Sequence, residues 1–209
     1  MKNELQAVIS GKIKIRHGEA ILAALSYLAR SSRSSSMAKE VKHYKIEETK
    51  RLRAYINSNK LWIDNLDLTK FVSEGAEQKV YLVDGNYVLK LNDTIFYNSW
   101  LDYLHNLLLH NYFFEDTAYS LEGFYENETI VFAVVKQPFV LATSKTDLNS
   151  VKDFMMQNGF QNNRNNDYIN PQMGVIIEDL HDENVLTQDG LLQFIDTVIY
   201  LTSDFYELK

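Results

Sequence analysis

The sequence contains no cysteine, which removes disulfide bridges, thiol nucleophiles and cysteine-ligated metals from consideration. It also has no run approaching the roughly 18–20 consecutive apolar residues that a membrane-spanning helix needs. The first ten residues carry Glu4 and Gln6 where the apolar centre of a secretory signal would stand. We therefore expect a cytoplasmic protein with no membrane partner. What is present is ordinary globular material: 45% hydrophobic and 23% charged over 209 residues, enough for one generous domain or two small ones.

The net charge of −7 conceals a division. Residues 1–60 hold thirteen Lys and Arg against five Asp and Glu, while the remainder holds eight against 23. A basic arm of this kind has two readings. It lies against the acidic body and compensates it, or it makes weak contact with nucleic acid. No base-readout motif accompanies it, which favours compensation.

Along the chain, Glu19 to Arg30 has the alanine, leucine and apolar spacing of a short amphipathic helix. The serine-rich run Ser31 to Ser36 reads as a linker, and a second helix is expected from about Glu47 to Asn59. The texture then becomes strand-like. Phe71 to Leu82 and Asn86 to Leu91 flank Asp84-Gly85, a hairpin signal. Ile95 to Tyr112 has helical spacing of Trp100, Leu101, Leu104, Leu107 and Leu108. Strands are expected at Leu121 to Tyr125 and Thr129 to Val135, with Pro138 marking a break. A helix from Asp147 to Met156, capped by Thr146 or Ser144, should stop near Gly159. Gln161 to Asn170, crowded with asparagine, reads as a turn-rich loop. Short strands at Gly174 to Glu178 and Leu191 to Ile195 flank the polar segment Glu178 to Asn184.

Four of these residues have the chemistry of a phosphate and metal site. Lys90, Asp179, Asn184 and Asp196 each fall at a predicted strand end, with Asn184 five positions after Asp179 and Asp196 seventeen after it. Phosphoryl transfer needs little covalent help. It needs a lysine on the phosphates, oxygen ligands for a hard cation, and a carboxylate to orient the acceptor. His181, hemmed in by Asp179, Asp182 and Glu183, is read as a poor metal ligand, since ligands in one short turn cannot all converge on one ion. His105 and His110 are expected at the edge or on the surface of a helix core. The aromatic cluster Tyr112-Phe113-Phe114 reads as core. Glu178 and Asp179, being adjacent in a strand, should face opposite ways rather than act as a dyad.

The wording Ile177-Glu178-Asp179-Leu180-His181-Asp182-Glu183-Asn184-Val185-Leu186, followed by Phe194-Ile195-Asp196, resembles the catalytic loop and metal-binding aspartate of the protein-kinase-like superfamily. Its loop is similar in style to those of aminoglycoside and choline phosphotransferases. Glu74-Gly75-Ala76-Glu77-Gln78-Lys79-Val80-Tyr81 resembles a reduced phosphate-covering loop, and Tyr87-Val88-Leu89-Lys90 resembles the strand bearing the phosphate-binding lysine. More narrowly, the chain resembles the small kinase-like domains in polyvalent proteins of phages and mobile elements, over about Ile63 to Leu201.

The resemblance implies an α+β, minimal bilobal fold. A basic helical extension (1–60) would precede an N-lobe of antiparallel sheet and one long helix (61–136), and then a reduced C-lobe carrying the catalytic loop (137–209). It implies an ATP- and magnesium-dependent transferase acting on a hydroxyl acceptor, a small molecule or a protein segment. Lys90 would contact the α- and β-phosphates, Asp179 would orient or deprotonate the acceptor, and Asn184 with Asp196 would ligate magnesium. Gly75, Ala76 and Glu77 would cover the phosphates, and Gln137 and Phe139 would lie in the segment that hydrogen-bonds adenine.

The chain departs from the family pattern in its single loop glycine, in a helix without a glutamate for Lys90 (Asp102 is the nearest acid), and in Thr197-Val198 after Asp196. With thirteen residues after Asp196, we expect no full activation segment within this chain. These departures motivate the alternative of a catalytically inactive pseudokinase that binds nucleotide or a protein partner.

Overall fold

The computed structural model describes residues 1–32, 41–75 and 78–206. Three helices come first, α1 (Lys2–Ile9), α2 (Gly18–Ser32) and α3 (Val41–Asn59). Strands β1 (Phe71–Glu74), β2 (Gln78–Leu82) and β3 (Tyr87–Asn92) follow, then α4 (Trp100–Phe113) and a 3-10 turn at Glu115–Thr117. Strands β4 (Ser120–Asn127) and β5 (Ile130–Pro138) complete the first lobe. The second contains α5 (Leu148–Gln157), six short strands and α6 (Ser203–Tyr206). Those strands are β6 (Gln161–Arg164), β7 (Asp167–Asn170), β8 (Val175–Glu178), β9 (Val185–Gln188), β10 (Leu191–Phe194) and β11 (Val198–Leu201).

The first lobe is an antiparallel sheet ordered β1-β2-β3-β5-β4, so β3, which carries Lys90, sits at its centre. Its main core joins Ile21, Leu25 and Leu28 of α2 and Leu52 and Ile56 of α3 to Trp100, Leu104 and Leu108 of α4, with Phe124, Val131 and Val135 from the sheet. The second lobe holds a four-stranded sheet ordered β11-β8-β7-β6 and the hairpin β9-β10. Val151, Met155, Val175, Ile177, Phe194 and Phe205 fill its core. Leu109 and Phe114 at the end of α4 belong to this second core, so one helix underlies both lobes.

The basic extension lies against the body, and several of its charges are spent there. Lys2 donates to the Asp204 carbonyl (2.5 Å), Lys45 to those of Thr94 and Tyr97, and Arg53 pairs with Glu126 (2.5 Å). No helix among the described residues is long and apolar enough to cross a membrane.

Several expectations need correction. The segment Phe71 to Leu82, expected as one strand, is two, β1 and β2, folded back on each other. The second helix begins at Val41 rather than near Glu47, while the expected serine-rich linker lies outside the described residues from 33 onward. Helix α4 starts at Trp100, not Ile95. The Asn92 and Asp93 side chains accept from the backbone of Thr94 (2.7 Å) and Ile95 (2.9 Å), holding this stretch in turns. Ser99 then caps the helix by accepting from Asp102 N–H at 3.0 Å, and the Glu48 carboxylate accepts from Trp100 N–H at 2.5 Å. Helix α5 is capped by Asp147 itself rather than by Thr146 or Ser144. The asparagine-rich loop is the hairpin β6-β7, in which Asn165 takes the left-handed conformation (φ 47°) that asparagine tolerates.

Gly174 also sits at positive φ (69°), and a Cβ there would lie 2.7 Å from Phe205 N. That approach lets buried Phe205 close the second core. Gly174→Ala is expected to lower the unfolding free energy by about 2 kcal/mol or more. The urea midpoint measures this, and an unchanged midpoint would contradict the packing described.

Candidate active site

A cleft of about 350 Å³ separates the two lobes. Val72, Val80 and Val88 form its apolar roof, Leu186 and Ile195 its floor, and Pro138, Phe139 and Val140 its rim. At the opposite end lie Gly75, Gln78, Lys90, Asn184 and Asp196. An apolar slot with a few convergent polar groups is the usual build of a small-molecule site.

Lys90 is only 5% exposed, and burial pushes its ammonium below the ordinary lysine range, with the Asp196 carboxylate pulling the other way. Its Nζ donates to the Ile195 carbonyl at 2.7 Å, lies 3.9 Å from Asp196 Oδ2, and stands 5.5 Å from the centre of the Tyr119 ring. The Tyr119 hydroxyl donates to the same Ile195 carbonyl at 2.8 Å. Lys90 and Asp196, 106 positions apart, thus face one another across the cleft. The ion partner of Lys90 is Asp196, not the helix acid Asp102, which stands in the first turn of α4.

The residues of the loop between β8 and β9 are knitted to each other. Asp179 occupies the left-handed region (φ 67°), and its N–H is held by Asp167 Oδ1 at 3.0 Å. Asn184 Nδ2 donates to the Asp179 carbonyl (2.9 Å) and carboxylate (3.0 Å). Glu183 N–H donates to His181 Nδ1 (3.2 Å), and His181 Nε2 lies 3.2 Å from both Asp179 Oδ1 and Asn184 Nδ2. The His181 ring thus packs against the Asp179 carboxylate and the Asn184 amide together. Ile195 and Asp196 N–H both reach the Asn184 backbone carbonyl (2.9 and 3.3 Å), joining this loop to the Asp196 segment. Asp179 itself is not part of the cleft lining and connects to it through Asn184.

The donor set fits a hard cation. Asn184 uses its amide nitrogen on Asp179, so its side-chain oxygen points away from that carboxylate, and Asp196 is 35% exposed toward the cleft. Among the described residues, no three His, Asp or Glu side chains converge, so a cation here would have two protein oxygens, from Asn184 and Asp196, rather than a closed cage. Of the remaining expected site residues, Gly75 lines the cleft, whereas Ala76 and Glu77 lie outside the described residues. Gln137 and Phe139 also line it, but Gln137 Nε2 donates to the Thr117 carbonyl (2.8 Å) and Phe139 N–H to the Asn86 carbonyl (2.7 Å).

Sequence reasoning missed the groups that hold the Asp196 segment in place. Thr117 Oγ1 donates to the Phe194 carbonyl (2.5 Å), and Asn106 Oδ1 accepts from Ile199 N–H (2.8 Å). His110, expected at a core edge or on the surface, is completely buried. Its Nδ1 lies 2.8 Å from Thr197 Oγ1 and its Nε2 3.2 Å from the Thr117 carbonyl. The neutral ring satisfies both, accepting the threonine hydroxyl and donating to the carbonyl. The signal available in the sequence was Asn106 and His110 spaced one turn apart on an otherwise apolar helix face. Gln78, whose side chain reaches Asp196 Oδ2, was also overlooked.

Burial, reinforced by the nearby Lys90 ammonium, pushes His110 down from 6.5 to about 3. The unfolded chain therefore takes up this proton before the folded one. Stability from this ring is intact above about pH 6.5 and is lost as pH falls, by up to about 1.4 kcal/mol per unit. His110→Gln is expected to flatten the stability profile between about pH 6.5 and pH 5 relative to wild type. Urea denaturation across that range measures it, and parallel profiles would refute the neutral buried ring.

Residues 45–203 match the family described as serine/threonine/tyrosine kinase found in polyvalent proteins. No curated protein and no solved structure matches the chain. The match takes in both sheets, every residue that lines the cleft, and Asp179; the chain belongs to this family of kinases.

Proposed function

We propose that the cleft binds ATP with magnesium and transfers the γ-phosphate to a hydroxyl acceptor. The observation that carries this reading is the approach of Lys90 to Asp196 at 3.9 Å, from opposite lobes, with Asn184 beside them in the cleft lining. The apolar slot between Val80, Val88, Leu186 and Ile195 suits a flat purine, with the 138–140 backbone along its edge. Lys90 would then meet the phosphates at the polar end, and Asn184 and Asp196 would hold the cation. Bound there, magnesium supplies charge neutralisation on the phosphate oxygens.

Asp179 does the proton work in this reading. Held by Asn184 and packed against His181, its carboxylate accepts the hydroxyl proton as the acceptor oxygen bonds to γ-phosphorus and ADP leaves. A serine, threonine or tyrosine side chain and a small-molecule alcohol satisfy this chemistry equally. The pseudokinase alternative draws on one observation, that among the described residues Lys90 is paired with no helix carboxylate and with Asp196 alone among acids.

Asp179→Asn is expected to reduce γ-phosphate turnover by about 10²- to 10⁴-fold while leaving nucleotide affinity unchanged. Asp196→Asn should abolish magnesium-dependent binding of an ATP analogue in calorimetric titration. Wild-type protein that binds no nucleotide in the presence of magnesium would overturn the proposal. Binding without turnover, with Asp179→Asn silent, would establish the inactive alternative.

A further inference from the structure

We propose that Gln78 is an internal competitor for the cation site, whose displacement from Asp196 sets the magnesium concentration at which nucleotide binds. The proposal rests on the reading of the cleft as a magnesium–nucleotide site, and it assigns a role to a residue that none of the expected contacts included.

Gln78 is the first residue of β2, and it shares that strand's cleft-facing side with Val80, as period-two alternation requires. Its backbone carbonyl accepts from Gly75 N–H at 3.0 Å, closing the covering loop. Its side chain leaves the roof and crosses to the floor, where Nε2 donates to Asp196 Oδ2. The same oxygen lies 3.9 Å from Lys90 Nζ. One hydrogen-bond donor and one ammonium at ion-pair distance, both from the first lobe, therefore face one carboxylate oxygen of the second.

A cation that takes the lone pair held by Gln78 must displace that amide, since Lys90 is too distant to hold the oxygen and is fixed by the Ile195 carbonyl. Gln78 is only half-buried, and this is its one side-chain hydrogen bond among the described residues. A cation on the neighbouring Oδ1 meets the same amide dipole at close range, so the two occupancies oppose each other in either geometry. A hydrogen bond to a charged group is strong enough to matter, and whatever it contributes to the empty site is subtracted from cation affinity.

Gln78→Leu, which removes the donor and keeps most of the volume, tests this, with Gln78→Ala as a second variant should the first fail to fold. The measurement is calorimetric binding of a non-hydrolysable ATP analogue at a series of magnesium concentrations and in excess EDTA. The expected result is a magnesium requirement lowered about tenfold in the variant, with metal-free nucleotide affinity unchanged. An unchanged or raised requirement in a variant, with normal binding by wild type, overturns the role of Gln78 alone. A change in metal-free affinity equal to that with magnesium also overturns it, because Gln78 would then act on the nucleotide and not on the cation. Wild-type protein that binds no analogue at any magnesium concentration overturns this inference together with the reading beneath it.

Discussion

A buried ammonium group must be answered by an acceptor or an anion, or it loses its proton. Lys90 stands on the central strand of the first lobe, where β2 and β5 cover it on both sides. Among the described residues its partners come from elsewhere, from Ile195 and Asp196 of the second lobe. The strand that places the lysine therefore cannot satisfy it, and the two lobes are bound to one another by the same pair of residues that give the cleft its polarity. Structure and chemistry here share one contact.

The remaining polar machinery keeps that contact in register. Helix α4 presents Asn106 and His110 to the segment after β10, and the turn following it presents Thr117 and Tyr119. Phe194, Ile195, Thr197 and Ile199 are each bound by one of these side chains, so the backbone around Asp196 is fastened on either side of the carboxylate. Kinases that regulate themselves by moving this segment need it loose. Here Thr197 is committed to a buried histidine, and the segment is built to stay.

Much of this was legible in the sequence because it is local. Asp179 and Asn184 are five apart on one loop, Lys90 lies within a strand whose alternation is plain, and Asp196 follows a short apolar run. The hairpin of β2 and β3 around Asp84-Gly85 followed from turn chemistry. Elements with ambiguous composition were misread for physical reasons. Asparagines that suggest a loop supplied the tight turn of β6-β7, and Asn92 with Asp93 delayed a helix that apolar spacing alone would start earlier. The short strands β9 and β11 left little trace, because four residues carry too little pattern. The clamp on Asp196 was illegible for another reason. Its partners lie some 80 positions apart, and nothing in His110 or Thr197 alone announces the other.

Helix α1 has an implication for how far the molecule can breathe. Eight residues long, it buries Leu5 in the core of the second lobe and Val8 in that of the first, while Gln6 donates to the Phe205 carbonyl at 2.8 Å. Any wide gaping of the lobes must pull one of these two side chains out of its socket, exposing it to water at a cost of a kcal/mol or more (about 1.5–3 for a full aliphatic side chain). The N-terminal helix thus works as a toggle bolt across the joint, and traffic into the cleft depends on small adjustments of the roof rather than on a jaw-like swing.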